Sequence, residues 1–121
     1  MKVILIVEDE FINYLLLKGY FSGLPIVTIL AKNGVEAVEY VRTNQDINLV
    51  LMDLRMPEMD GFYATTLIKT LRPELTIIAQ TAHVYNDIDN DILNKGFSGY
   101  LKKPFSRNEL IDAIKPFLEL E

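Results

Sequence analysis

Cysteine is absent from this sequence, which excludes a disulfide scaffold, a thiolate metal site and a cysteine nucleophile. Basic residues are few beside acidic ones. Twelve Lys and Arg against 17 Asp and Glu leave a net charge of -5, so the positive footprint that grips a phosphate backbone is missing. No long hydrophobic run occurs: Val3 to Val7 falls far short of the roughly 20 residues that span a bilayer. The run is also too short, and too closely followed by acids, to be a secretion signal. Linkers, low-complexity tracts and repeats are missing too. What is present is a chain of 121 residues, 50% hydrophobic, enough for one domain with a real core and too few for two. Such apolar content excludes disorder. The expectation is a soluble, cytoplasmic single domain over residues 1–121, without membrane insertion or direct nucleic-acid binding.

The chain alternates strand and helix signals. Val3 to Val7 is a β-branched run without polar alternation, the mark of a strand buried on both faces of a parallel sheet. A helix follows from about Glu10 to Phe21 and is closed by Ser22-Gly23 and Pro25. Ile26 to Leu30 reads as a second strand, and Asn33-Gly34 opens a helix carrying Val35, Val38 and Val41. Leu49 to Met52 is a third strand ending at Asp53; after a loop with Pro57 and Asp60-Gly61, a helix runs to about Leu71. Thr76 to Gln80 is a fourth strand, and residues 84–94 form a weaker, acid-rich helix. Gly96 and Gly99 bracket a short fifth strand that ends at Lys102-Lys103-Pro104. The last helix uses Leu110, Ile111, Ile114, Phe117 and Leu118 and is expected to run almost to Glu121, leaving no room for an effector domain within these residues. Five strand–helix pairs select a doubly wound parallel sheet with helices on both faces.

In such a sheet, ligands bind at the carboxyl ends of the strands. Those ends carry Glu8, Asp9 and Glu10, then Asp53, then Thr81, then Lys102 and Lys103. At ~4 Å and an effective dielectric near 20, two carboxylates repel by about 4 kcal/mol, so the cluster calls for a cation. Oxygen ligands alone favour Mg²⁺ or Ca²⁺, and a site with few carboxylates that receives a phosphoryl oxygen suits Mg²⁺ better.

These residues carry a family likeness. Glu8-Asp9 follows a hydrophobic strand. Leu49-Val50-Leu51-Met52-Asp53 is followed by Met56-Pro57 and Met59-Asp60-Gly61, then by Thr81-Ala82, Gly99-Tyr100 and Lys103-Pro104-Phe105. Along nearly its whole length the chain resembles the receiver domain of two-component response regulators. The resemblance implies a flavodoxin-like (βα)5 fold with strand order 2-1-3-4-5. It also implies phosphoryl transfer from a histidine kinase or histidine phosphotransfer domain to Asp53. That makes the chain a signalling phosphoacceptor that assists its own phosphorylation and dephosphorylation, not an enzyme. Asp9, Asp53 and the Arg55 backbone carbonyl would ligate Mg²⁺, with Glu8 acting through a water; many receivers have aspartate at that position. Lys103 would offset charge on a phosphoryl oxygen, and Thr81 would donate to another. Tyr100 would turn inward as the aromatic switch, Arg55 and His83 would flank the phosphoryl group, and the Lys103-Pro104 bond would be cis. The chemistry fits the residue types: aspartate starts ionised and needs no base, and the rest is positioning and charge neutralisation.

Plainer readings exist for each residue. Glu10 fits an acid at a helix start, Lys102 competes with Lys103, and His83 fits a surface loop better than a phosphodonor, which belongs on an exposed helix. A flavin-phosphate site would want a hydroxyl- and glycine-rich loop after the first strand. A haloacid dehalogenase-type phosphatase would want an acid where Arg55 stands, and a degenerate receiver would lack a site residue. The Glu8-Asp9-Glu10 run with Asn13, and Thr81-Ala82-His83, look more like receivers of hybrid histidine kinases. Asp87, Asp89 and Asp91 do not give the charge pairs by which one large class of DNA-linked receivers dimerises.

The first helix carries two apolar stripes at about 100° per residue. Ile12, Leu15, Leu16 and Gly19 are expected to pack on the sheet. Tyr14, Leu17 and Phe21 are expected to lie outside and to dock a histidine-bearing helical bundle, with Phe11 at the edge of that contact.

Overall fold

The computed structural model describes residues 1–54, 59–82 and 96–119. The order is β1 (Lys2–Val7), α1 (Phe11–Tyr20), β2 (Ile26–Ala31), α2 (Gly34–Thr43), β3 (Ile47–Asp53), α3 (Gly61–Leu71), β4 (Thr76–Thr81), β5 (Gly99–Lys102) and α4 (Arg107–Leu118). All pairings are parallel and the strand order is β2-β1-β3-β4-β5. That is the expected flavodoxin-like topology. The acid-rich helix expected over residues 84–94, and Arg55 and His83, lie outside the described residues.

The central strands are apolar throughout because side chains alternate between two covered faces. Leu5, Val7, Val50, Met52, Ile77 and Ala79 face α2 and α3, where they meet Ala37, Val41, Ala64 and Ile68. Ile4, Ile6, Leu49, Leu51, Ile78 and Leu101 face α1 and α4, where they meet Tyr14, Leu17, Leu110, Ile114 and Leu118. Local chemistry starts the helices. Asn33 accepts from the Glu36 amide at 2.8 Å, Asp60 from the Tyr63 amide at 2.8 Å, and Ser106 forms a reciprocal capping box with Glu109. Gly23 closes the turn after α1 at φ +84°, a conformation that favours glycine.

The structure reverses the expected faces of α1. Tyr14, Leu17 and Phe21 are buried against the sheet, at 8%, 3% and 3% exposure, so they are not a docking surface. Ile12, Leu15 and Leu16 are exposed instead, beside an equally exposed Phe11. The two stripes have the same period, and buried area decides between them. The inner stripe brings two aromatic rings, whereas the outer one includes Gly19, which has no side chain to bury. The Tyr14 hydroxyl also finds a partner inside, sharing a 2.9 Å hydrogen bond with Thr28 Oγ1.

Candidate functional site

The site is the row of residues that follow the strands. β1 runs into Glu8, whose amide donates to the Ala31 carbonyl at 2.9 Å and extends the ladder with β2 by one step. The Glu8 side chain is thereby drawn inside and is 1% exposed, while Asp9 and Glu10 stay exposed. β3 delivers Asp53, which is buried. The chain just beyond it is pinned twice: the Leu54 amide donates to the Gln80 carbonyl at 3.3 Å, and the Gly61 amide donates to the Leu54 carbonyl at 3.2 Å. Glycine is required at 61 because a Cβ there would meet the Asp53 carbonyl oxygen and stand 2.8 Å from Leu54 Cα. Asp60-Gly61 therefore does two jobs, capping α3 and letting its first turn lie against the end of β3.

β5 delivers the cation. The Lys103-Pro104 peptide bond is cis, and the Lys103 amide donates to the Thr81 carbonyl at 2.7 Å. The Lys103 ammonium stands 3.5 Å from Asp53 Oδ2 and 3.6 Å from Glu8 Oε2. Lys102, one residue earlier on the strand, is exposed. Thr81 is buried at the tip of β4. Tyr100 is in register with Ala79, two residues before Thr81, so it stands on the same face of the sheet and is part-exposed.

Glu8 anchors the acidic side. Its Oε1 accepts from Asn13 Nδ2 and from the Glu10 amide, both at 3.3 Å. Its Oε2 is buried, with no hydrogen-bond partner among the described residues, and lies 3.6 Å from the Lys103 ammonium. Burial pushes the Glu8 carboxyl above the usual carboxylate range; Lys103 pulls it down and Asp53 raises it again. One carboxylate oxygen each from Glu8, Asp9 and Asp53 lies within 4.8 Å of the others, an all-oxygen set that could hold a hard divalent ion. The orphaned Glu8 Oε2 fits that reading, since a bound ion or its water would satisfy it.

Sequence reasoning missed a role for Asn13, which steadies Glu8, and missed Gln80, which is 1% exposed next to the site. The signal for Gln80 was available: it is an amide that directly follows the apolar run Ile77-Ile78-Ala79 of its strand. No described helix is long and apolar enough to cross a membrane.

Known proteins are similar to this chain in sequence and in fold. The autoinducer 1 sensor kinase/phosphatase LuxN of Vibrio campbellii (strain ATCC BAA-1116) is 36% identical over 115 residues, which cover 95% of this chain. The chain spans only 13% of the length of that relative. Sporulation initiation phosphotransferase F of Bacillus subtilis (strain 168) is 32% identical over 118 residues, covering 98% of this chain and 94% of that protein. A crystal structure of the receiver domain of sensor histidine kinase PA1611 from Pseudomonas aeruginosa PAO1 has a magnesium ion coordinated in its active site cleft. It superposes with a TM-score of 0.87 at 31% sequence identity, covering 98% of each chain. A family model described as the response regulator receiver domain matches residues 4–115. With strand order, strand-end chemistry and sequence in agreement, the chain belongs to the response regulator receiver domains of two-component signalling.

Proposed function

We propose that Asp53 is the phosphoacceptor of this receiver domain. The observation that carries the reading is the Lys103 ammonium, 3.5 Å from Asp53 and 3.6 Å from Glu8, two buried carboxylates at the strand ends. An Asp53 carboxylate oxygen attacks the phosphorus of a partner's phosphohistidine. The P–N bond breaks, the imidazole leaves with its electron pair, and an acyl phosphate forms on Asp53. Lys103 neutralises a phosphoryl oxygen as charge develops, which is where an oriented cation contributes most. Glu8, Asp9, Asp53 and the Arg55 backbone carbonyl are the residues that would hold Mg²⁺. Bound there, the ion supplies the remaining charge neutralisation that brings a carboxylate and a phosphoryl group together. Thr81 donates to a phosphoryl oxygen once Asp53 is modified, and Tyr100, on the same face of the sheet, turns inward as the reporter of that change.

The partner is a histidine kinase or a histidine phosphotransfer domain. Its docking surface is the ridge of Phe11, Ile12, Leu15 and Leu16, which starts two residues after Asp9 and leaves apolar area unburied. The domain acts as a switch in a cytoplasmic phosphorelay and not as a turnover enzyme.

Incubation with acetyl phosphate and Mg²⁺, followed by intact-mass measurement, tests the assignment. The parent gains one phosphoryl group and Asp53→Asn gains none; equal uptake by both would overturn it. Beryllofluoride with Mg²⁺ should move Tyr100 to an inward rotamer, and an unmoved ring would refute the switch.

A further inference from the structure

Gly34 opens α2, and it is buried. Its backbone lies outside the left-handed region that favours glycine, so local conformation gives no reason for the missing side chain. Space gives one. A Cβ at Gly34 would stand 2.8 Å from the Met59 carbonyl oxygen, 2.9 Å from Met59 Cγ and 3.0 Å from Met59 Cβ. Met59 belongs to the connection between β3 and α3, and its side chain packs on the core that α2 and α3 cover. The first turn of α2 is a stop against which that connection rests. The stop is itself held: Asn33 accepts from the Glu36 amide at 2.8 Å, and Glu36 Oε1 accepts from the Lys32 amide at 3.0 Å.

Both sides of this contact lead to the acidic cluster. Three residues before Gly34, the Ala31 carbonyl accepts from the Glu8 amide at 2.9 Å. Two residues after Met59, the Gly61 amide donates to the Leu54 carbonyl at 3.2 Å, and Gly61 leaves no room for a Cβ beside the Asp53 carbonyl. The end of β1 and the end of β3 are thus tied to the two partners of one contact, Gly34 and Met59.

We propose that Gly34 is a positioning residue for the metal site: the close approach it permits fixes the backbone beyond Asp53 at a spacing that favours Mg²⁺ over Ca²⁺. The inference rests on the reading of Glu8, Asp9, Asp53 and the Arg55 carbonyl as the metal ligands. Gly34 does not touch the ion; it acts through Met59 and Gly61. Mg²⁺ demands near-octahedral oxygen ligands at about 2.0–2.1 Å, whereas Ca²⁺ takes them at about 2.3–2.6 Å in a flexible geometry. A methyl at Gly34 forces the Met59 carbonyl back from 2.8 Å toward the 3.4 Å at which ordinary contact begins. A displacement of that size rivals the difference in bond length between the two ions, so the exacting ion loses more than the tolerant one.

The test titrates Mg²⁺ and Ca²⁺ separately into the metal-free full chain while the backbone amides of Asp53 and Leu54 are followed by NMR. Gly34→Ala is expected to lower the ratio of Mg²⁺ to Ca²⁺ affinity at least threefold. Val41→Ala is the control: Val41 is buried in the same helix, two turns from Gly34, so its truncation costs stability and should keep the parent's ratio. A purely structural role for Gly34 would lower stability and move the ratio by less than threefold, and that result would overturn the proposal. An equal fall of the ratio in Val41→Ala would overturn it too. Where Gly34→Ala does not fold, Met59→Ala decides in its place, because it removes the Cγ that lies against Gly34. A ratio lowered at least twofold in that variant supports the proposal, and any smaller change overturns it. If neither ion shifts the amides of the parent, the metal reading fails and this inference with it; binding by the parent with an unmoved ratio in the variant defeats this inference alone.

Discussion

The Lys103 ammonium lies between two carboxylates from different strands, 3.5 Å from Asp53 Oδ2 and 3.6 Å from Glu8 Oε2, so one cation ties the ends of β1 and β3 together. Its backbone is held independently by the hydrogen bond that the Lys103 amide donates to the Thr81 carbonyl. Lys103→Met should therefore leave the fold in place and remove the charge. Loss of one oriented electrostatic group lowers a rate by about 10²–10³-fold. The initial rate of phosphorylation by acetyl phosphate with Mg²⁺ is expected to fall by that order, with an unchanged far-UV spectrum. A rate equal to the parent's would mean that another cation serves.

Glu8 couples this site to pH. Its carboxyl is raised above 4.5, chiefly by burial, so the folded state binds this proton more tightly than the unfolded chain does. Where the folded state holds more protons, the unfolding free energy falls as pH rises. Between 4.5 and the raised value, the metal-free protein therefore loses stability with rising pH and regains it as pH falls. Glu8→Gln should be more stable than the parent at neutral pH and should flatten that part of the profile. Urea unfolding in a chelator, across the acidic to neutral range, checks both.

Two glycines should respond oppositely to alanine. At Gly61 the new methyl would meet the Asp53 carbonyl and stand 2.8 Å from Leu54 Cα, backbone atoms that cannot yield without moving the end of β3. Gly61→Ala is expected to cost about 1–3 kcal/mol, as overpacking does. At Gly19, inside α1, a Cβ would meet nothing within 4 Å. Gly19→Ala is expected to gain up to about 1 kcal/mol by restricting the unfolded chain. Chemical denaturation of the two variants separates the effects.

The exposed ridge of α1 gives a partner-specific prediction. Ile12→Ala with Leu15→Ala changes side chains that are 78% and 48% exposed, so stability should barely move. Transfer from a cognate phosphohistidine protein should slow at least tenfold, while phosphorylation by acetyl phosphate stays unchanged. Equal slowing with both donors would point to damage at the site, and no slowing with either would place docking elsewhere.

The sequence by itself determined the fold class and the order of its parts. A parallel sheet covered on both faces demands unbroken apolar strands, and Val3–Val7 and Leu49–Met52 satisfy that demand without reference to their neighbours. Asn33, Asp60 and Ser106 cap their helices through bonds to amides three residues on, which is local information. The position of Asp53 at a strand end, among other acids and a lysine, follows from the same periodicity once the topology is known.

Only the tertiary structure decided which of two equally periodic stripes of α1 turned inward, because the answer depends on the area each buries against the sheet and not on its spacing. It also brought the Lys103 ammonium to 3.5 Å from Asp53 and left Lys102, the last residue of β5, exposed, because the path of the chain beyond β5 is set by what the strand packs against. Asn13 and Gln80 acquired their places for the same reason. A polar side chain shows its role only through the groups that surround it, and those groups come from strands and helices far apart in the chain.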